Sequence, residues 1–248
     1  METPKVSCIC LTENRVEFLK KAINCFNAQT YSTRELLIVY PENDYNTANF
    51  LTDNKVENIR SLILPTGNQL SLGEKRNYAI DNCKGDYICN WDDDDWYHQD
   101  RLNVQINSIL LSHKPVSLLA YVLMYDKINK EAYLSDLRMW ENTLLCHKSI
   151  FSSFSYANLN KSEDEVLVNK LISNNLIYPV IMPQLYVYVF HGNNTWQEDH
   201  FNRFYKMSQK LRPESSLLIT KVLEEDISIQ EASRVLSSRE ILYQFCYV

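Results

Sequence analysis

Glycine is scarce in this chain, with four residues in 248. Neither the GxGxxG dinucleotide fingerprint nor a P-loop is present. Gly73-Glu74-Lys75-Arg76 lacks the second glycine and the following Ser or Thr that would cradle a triphosphate. Any phosphate bound here must therefore be held by side chains and a cation. Basic runs are also missing and the formal net charge is -6, which argues against nucleic acid as the main partner. No stretch approaches the ~18 apolar residues that span a bilayer. Met1 to Lys5 lead straight into an apolar run, without a charged and apolar leader or a small-residue cleavage site. CxxC spacing is absent too. The seven cysteines (Cys8, Cys10, Cys25, Cys83, Cys89, Cys146 and Cys246) sit mostly inside apolar runs, where a reduced Cys is a small hydrophobe. The expected setting is a reducing, cytoplasmic one, with peripheral membrane contact left open.

What is present is enough for one sizeable core: 45% of the residues are hydrophobic, and single α/β domains commonly reach about 200–250 residues. Val6 to Leu11, Leu36 to Tyr40, Leu62 to Leu64 and Asp86 to Trp91 read as buried strands. Helical spacing follows Asn14, a candidate N-cap, through Val16, Leu19, Ile23 and Phe26. A second helix runs through Leu72, Arg76, Ala79, Ile80 and Cys83, with Gly85 as its expected C-cap. This βαβ rhythm predicts a doubly wound, mostly parallel sheet over roughly residues 5–112. Beyond it, Val116 to Tyr125 and Ala132 to Leu134 flank a turn and predict a small antiparallel portion. Asp164 to Ser173 reads as helix and Leu185 to Phe190 as strand. From Phe201 onward the pattern is helical, with Pro213 near one helix start and Ile229 to Leu236 forming another. The expected division is a main domain over 1–200, with a nucleotide-binding half at about 1–112 and an acceptor half at about 113–200. A helical appendage follows over 201–248. Its stripe of Leu217, Leu218, Val222 and Leu223 either packs on the core or makes a homodimer, and core packing is the expectation.

Asp92, Asp93, Asp94 and Asp95 stand in a row after the fourth strand. Adjacent carboxylates repel unless solvent or a cation compensates them, and in open α/β sheets ligands settle at the carboxyl ends of strands. A bound Mg²⁺ or Mn²⁺ accounts for the cluster, because the protein commonly supplies such ions with one or two carboxylates while substrate phosphates and water supply the rest. The plain structural alternative is a solvated turn capping the helix that begins near His98. On a continued strand Asp92 and Asp94 share one side, and Asp93 and Asp95 the other. Glu163-Asp164 opens a helix after Ser162, a candidate cap. That pair is either ordinary helix initiation or a general base toward a hydroxyl. His191, at a strand end, is either a satisfied polar residue or a ligand.

Together these segments resemble an inverting family 2 glycosyltransferase of the GT-A fold. Val6 to Arg15 resembles the opening strand and nucleotide-side loop. Leu72-Gly73-Glu74-Lys75-Arg76-Asn77 is similar to the Gly-x-x-Arg-Asn helix start. Gly85 to Leu102 is similar to the strand, DxD motif and following helix, and Ser162-Glu163-Asp164 to the Glu-Asp pair. The resemblance implies Asp164 as catalytic base beside Glu163, and Asp94 as metal ligand with Asp92 or Asp93 reaching the ribose. His191 joins the metal set, and Asn194 lies near the diphosphate. Thr12, Glu13, Arg15, Lys75 and Arg76 would serve the donor. The second strand departs from the usual Asp-Asp-Gly-Ser ending, so Glu42 or Asp44 would replace the carboxylate that reads the base.

The activity so implied is transfer of a sugar, with inversion, from a nucleotide-diphosphate donor to the hydroxyl of a glycan or lipid-linked acceptor. A UDP-sugar is the default donor and bacterial polysaccharide or glycoconjugate synthesis the setting. The rivals are a nucleotidyltransferase, which attacks phosphorus, and a non-catalytic domain that binds nucleotide or glycan.

Overall fold

The computed structural model describes residues 3–65 and 69–238. The first half alternates strand and helix as the apolar periodicity predicts. Its elements are β1 (Val6–Leu11), α1 (Val16–Asn27), β2 (Arg34–Pro41), α2 (Tyr45–Asp53), β3 (Ile59–Leu64), α3 (Leu72–Asn82) and β4 (Tyr87–Asn90). A two-residue strand β5 (Trp96–Tyr97) then precedes α4 (Arg101–Ser112). The second half contributes β6 (Val116–Leu119), β7 (Leu123–Asp126), β8 (Glu131–Leu134), β9 (Leu145–His147), α5 (Glu163–Ser173), β10 (Ile177–Val180) and β11 (Tyr186–Phe190). The chain continues through α6 (Glu198–Met207), β12 (Gln209–Lys210), α7 (Pro213–Leu223) and α8 (Ile229–Leu236).

Seven strands form the main sheet in the order β10-β6-β9-β4-β1-β2-β3, and every one but β9 runs the same way. The mixed α/β architecture is the expected one. The sheet nevertheless reaches past residue 112, because β6, β9 and β10 extend it on the β4 side. A second sheet, β12-β8-β7-β11-β5, is antiparallel except where β7 meets β11. The apolar run from Val116 to Tyr125 is therefore not one strand: it breaks at Ala120-Tyr121-Val122 and feeds a different sheet on each side.

Several local expectations give way to tertiary contacts. Asn14 is not the cap of α1. It sits in the left-handed region at φ 54 and its amide donates to Asp44 at 2.7 Å, while Arg15 takes the N-cap position. Ser162 likewise turns left-handed at φ 58 and makes no side-chain cap. Helix α3 ends three residues before Gly85 at Asn82, and α4 begins at Arg101 instead of near His98. Gly85 serves a different purpose, since a Cβ there would lie 2.6 Å from the Ser7 amide nitrogen.

The apolar stripe of α7 does pack on the core. Val222 is buried, Leu218 and Leu223 pack against the core, and only Leu217 of the stripe stays outside. Tyr125 and Thr220 share a hydrogen bond of 2.6 Å, tying α7 to β7. The six described cysteines are free and buried, as expected of small hydrophobes, and Cys246 lies outside the described residues.

At the opposite end of the parallel strands from the acidic run, Glu35 is buried at 1% exposure and collects Ser7 Oγ at 2.6 Å, the Lys84 amide at 2.8 Å, and Lys5 and Arg60 at 3.3 Å each. Burial raises its pKa, but these donors and cations outweigh it and hold the carboxyl below its ordinary value. A depressed carboxylate stabilises the fold above the unfolded pKa of about 4.3, and that contribution fades as pH falls through the lower folded value. Glu35→Gln is expected to cost about 1.5–3 kcal/mol at pH 7 in urea unfolding. The gap between parent and variant should close on acidification below about pH 4.

Candidate active site

The acidic run leaves extended geometry after Asn90, so the strand alternation expected for it does not hold. Trp91 anchors the turn. Fully buried, it donates from Nε1 to the Ala22 carbonyl at 3.1 Å and stacks on Tyr97 at 3.9 Å. Tyr97 returns a hydroxyl bond to the Asp92 carbonyl at 2.8 Å. The four carboxylates then spread over several partners, with Arg15 shared by two of them.

Asp92 faces Arg76 at 3.5 Å. Asp93 accepts from Thr12 Oγ1 at 2.7 Å and pairs with Arg15 at 3.1 Å. Asp94 pairs with the other nitrogen of Arg15 at 2.7 Å and with His191 Nε2 at 3.0 Å. Asp95 accepts from the Tyr186 hydroxyl and from the Val189 amide. Their charge states separate accordingly. Burial, then the neighbouring Asp94 charge, pushes Asp93 up to about 7 against the pull of Arg15 and Thr12. Burial and the charges of Asp94 and Asp92 drive Asp95 well above the carboxylate range. Burial also raises Asp94, yet His191 and Arg15 outweigh it and hold it below its ordinary value. Asp94 is thus the member of the cluster that best keeps its negative charge.

The second acidic pair opens α5. Glu163 is buried and its carboxylate takes Arg76 Nε at 3.1 Å. Burial raises the Glu163 pKa, with Arg76 opposing. Asp164 is half-buried, and its Oδ1 accepts only the next amide, Glu165, at 3.0 Å. Arg76 therefore clamps the two acidic motifs together, reaching Asp92 on one side and Glu163 on the other, over the ring of Tyr156 at 5.6 Å. Burial lowers the Arg76 pKa, but Asp92, Tyr156 and Glu163 raise it further, so it stays a cation.

The Arg76 helix starts where the chain 157–163 crosses it, and Gly73 permits that crossing. A Cβ at Gly73 would fall 1.8 Å from the Ala157 carbonyl oxygen and 3.3 Å from Glu163 Cβ. Gly73→Ala is expected to lose about 1–3 kcal/mol by overpacking. Activity should fall as well, because the displaced segment carries Glu163 and Asp164. A thermal melt beside a turnover assay measures both.

One cavity of about 220 Å³ is walled by Asp92, Asp93, Asp94, Glu163 and Asp164, together with Arg15 and Arg76. The two acidic motifs, seventy residues apart in sequence, thus face a common space. Thr12 and His191 stand just behind it through Asp93 and Asp94. Four expected donor residues lie elsewhere. Glu13 and Glu42 are exposed and Lys75 half-buried, and none of the three lines the cavity. Asp44 is completely buried as the N-cap of α2, taking the amide and hydroxyl of Thr47 at 2.9 and 2.6 Å.

On the other wall are residues that periodicity did not single out: Arg138, Trp140, Asn142, Lys161, Tyr188 and His200. They come from turns, from β11 and from the start of α6. The one signal available was the density of aromatic and cationic types in Arg138 to Asn142.

For a divalent cation the donor chemistry fits. Asp94 offers a charged, hard oxygen, and its Oδ1 accepts no hydrogen bond among the described residues. No group of three or more His, Cys, Asp or Glu is gathered to hold an ion among those residues. One or two carboxylates completed by diphosphate and water is the usual arrangement for Mg²⁺.

Among known proteins, the Glycosyl transferase family 2 description matches residues 7–154, more than half of the chain. Protein CgeD of Bacillus subtilis (strain 168) is 29% identical over 123 residues, covering 47% of this chain. The match spans only 28% of that protein's length. The S. aureus TarS 1-349 structure in complex with UDP-GlcNAc superposes with a TM-score of 0.62 at 17% identity, over 96% of this chain and 71% of that one. The mannosyltransferase PcManGT from Pyrobaculum calidifontis, in complex with GDP-Man and Mn2+, gives 0.59 at 10% identity, over 100% and 77%. These likenesses agree with the fold derived above, and the family match covers β1, the acidic turn and the Arg76 helix that builds the cavity. The chain belongs to glycosyl transferase family 2.

Proposed function

We propose that the chain transfers a sugar, with inversion, from a nucleotide-diphosphate donor to an acceptor hydroxyl. The observation that carries this reading is the common cavity of Asp92–Asp94 and Glu163–Asp164, braced by Arg76. Asp164 takes the proton of the acceptor hydroxyl as its oxygen forms the new bond to the anomeric carbon. The bond from that carbon to the diphosphate breaks, and the diphosphate leaves with the electron pair. Attack and departure on opposite faces of the ring give inversion. Arg15 and Arg76, both on the cavity wall, supply fixed positive charge where the diphosphate accumulates negative charge. Thr12 fixes Asp93, and Asp92 and Asp93 meet the ribose. Glu163 acts through Arg76 to hold Asp164 in place. Asp94, with His191 beside it, would hold Mn²⁺ or Mg²⁺, which when bound offsets charge on the leaving diphosphate.

A UDP-sugar is the proposed donor, supported by the likeness to the UDP-GlcNAc complex of TarS. A glycan or lipid-linked acceptor and a bacterial, cytoplasmic setting complete the proposal. Among the described residues no helix is long and apolar enough to cross a membrane. The decisive experiment incubates the purified protein with UDP-glucose, UDP-N-acetylglucosamine or GDP-mannose and Mn²⁺. Slow donor hydrolysis to nucleoside diphosphate, abolished by a chelator, is expected. Pyrophosphate released in a parallel incubation with a nucleoside triphosphate and a sugar 1-phosphate would identify a nucleotidyltransferase instead, and no product from any of these substrates would leave a binding domain.

A further inference from the structure

Seven buried side-chain atoms lack a hydrogen-bond partner among the described residues, and three of them belong to residues lining the cavity shared by the two acidic motifs: Arg76 Nη1, Trp140 Nε1 and Asn142 Oδ1. The other four sit on Arg101, Asp136, Gln184 and Tyr205, none of which lines it. Folded proteins leave few polar atoms unpaired, so a concentration at one cavity calls for water, or a ligand that displaces it, to pair them.

Trp140 and Asn142 are two residues apart in one short turn, and each is held rigidly. Trp140 is 2% exposed, with the Arg138 guanidinium 4.9 Å from its ring centre and Phe204 and Tyr188 packed at 5.4 and 6.1 Å. Its indole N–H can only donate. Asn142 donates from Nδ2 to the Tyr186 hydroxyl at 2.7 Å, and that hydroxyl spends its single proton on Asp95. The Tyr186 oxygen accepts from that amide nitrogen, so the unpaired end of Asn142 in this arrangement is Oδ1, an acceptor. The turn thus offers one fixed donor and one fixed acceptor. A phosphate, which only accepts, satisfies the first alone, and an ammonium, which only donates, satisfies the second alone. Hydroxyl groups do both, and adjacent hydroxyls on a pyranose ring present such a pair.

We infer that Trp140 and Asn142 read hydroxyl groups of the sugar being transferred and so set the choice of donor sugar. This rests on the transferase reading above, because it takes the ring to lie in the cavity shared by Asp94 and Asp164. Both are specificity-determining residues, and neither touches the nucleotide.

The test measures calorimetric affinity, with Mn²⁺ present, for UDP and GDP and for UDP-glucose, UDP-N-acetylglucosamine and GDP-mannose. In the parent protein one sugar nucleotide should bind about tenfold more tightly than its bare nucleotide. Trp140→Phe deletes the N–H while keeping a smaller aromatic ring, and Asn142→Leu deletes the amide at similar volume. Each should remove most of that tenfold advantage while leaving affinity for the bare nucleotide unchanged, whereas a merely structural role would weaken both affinities together. An unchanged sugar advantage in both variants, or none in the parent, overturns this inference and leaves the transferase reading standing. Failure of the parent to bind any nucleotide overturns the transferase reading and this inference with it.

Discussion

Asp164→Asn is expected to lower turnover by about 100- to 10,000-fold while leaving the nucleotide-induced rise in melting temperature intact. The local geometry allows this separation. Asp164 accepts only the amide of Glu165, and it stands outside the ion pairs that brace the cavity. An amide of the same shape therefore keeps the packing and loses the proton acceptor. Its neighbour should behave oppositely. Glu163 is buried against Arg76, so Glu163→Gln should lower stability first and turnover through it. Turnover in Asp164→Asn within threefold of the parent would remove Asp164 from the role of base.

Arg76→Met should be the most damaging single change to both fold and activity. It leaves Glu163 buried without its cation and Asp92 facing Asp94 without compensation. Breaking a buried pair by removing one partner typically costs about 3–5 kcal/mol, measurable as a lowered urea midpoint. The double variant Arg76→Met with Glu163→Gln should recover part of that loss, because no buried carboxylate then stands unpaired against the missing guanidinium. Additive losses in that cycle would mean that the two side chains do not cooperate. Activity should stay low in both, since the clamp between the acidic motifs is gone.

The strands of the first half and the helices after Phe201 were legible because burial imposes a period that any sequence must show. The acidic motifs were legible too, as a cluster too costly to leave uncompensated. Their internal geometry was not. Strand alternation assigned Asp92 and Asp94 to one side, whereas after the turn at Trp91 it is Asp93 and Asp94 that share Arg15, while Asp92 faces Arg76. Asp44 read as a base-reading acid because it follows the second strand where the resemblance calls for a carboxylate, while α2, with Thr47 its only buried residue, has too weak an apolar stripe to show as a helix that Asp44 caps. The opposite wall was invisible for a similar reason. Trp140 and Asn142 lie in a turn, where side-chain direction follows from tertiary packing and leaves no period to read. Short strands escaped as well: β5 and β9 span two and three residues, too few for alternation to register.

The placement of β9 shapes how the protein must be made. Its three residues pair with β4 on one side and β6 on the other, so the side of Tyr87–Cys89 away from β1 finds its neighbour only when Leu145–His147 arrive. At ribosomal speeds of roughly 5–20 residues per second, the hydrophobic flank of β4 waits on the order of 3–10 s during synthesis. Over that interval the emerging polypeptide displays an open strand margin of the kind that recruits chaperones or seeds aggregation. Slowing translation between residues 91 and 144 should lower the soluble yield, and a fragment stopped before β9 should not stay in solution by itself.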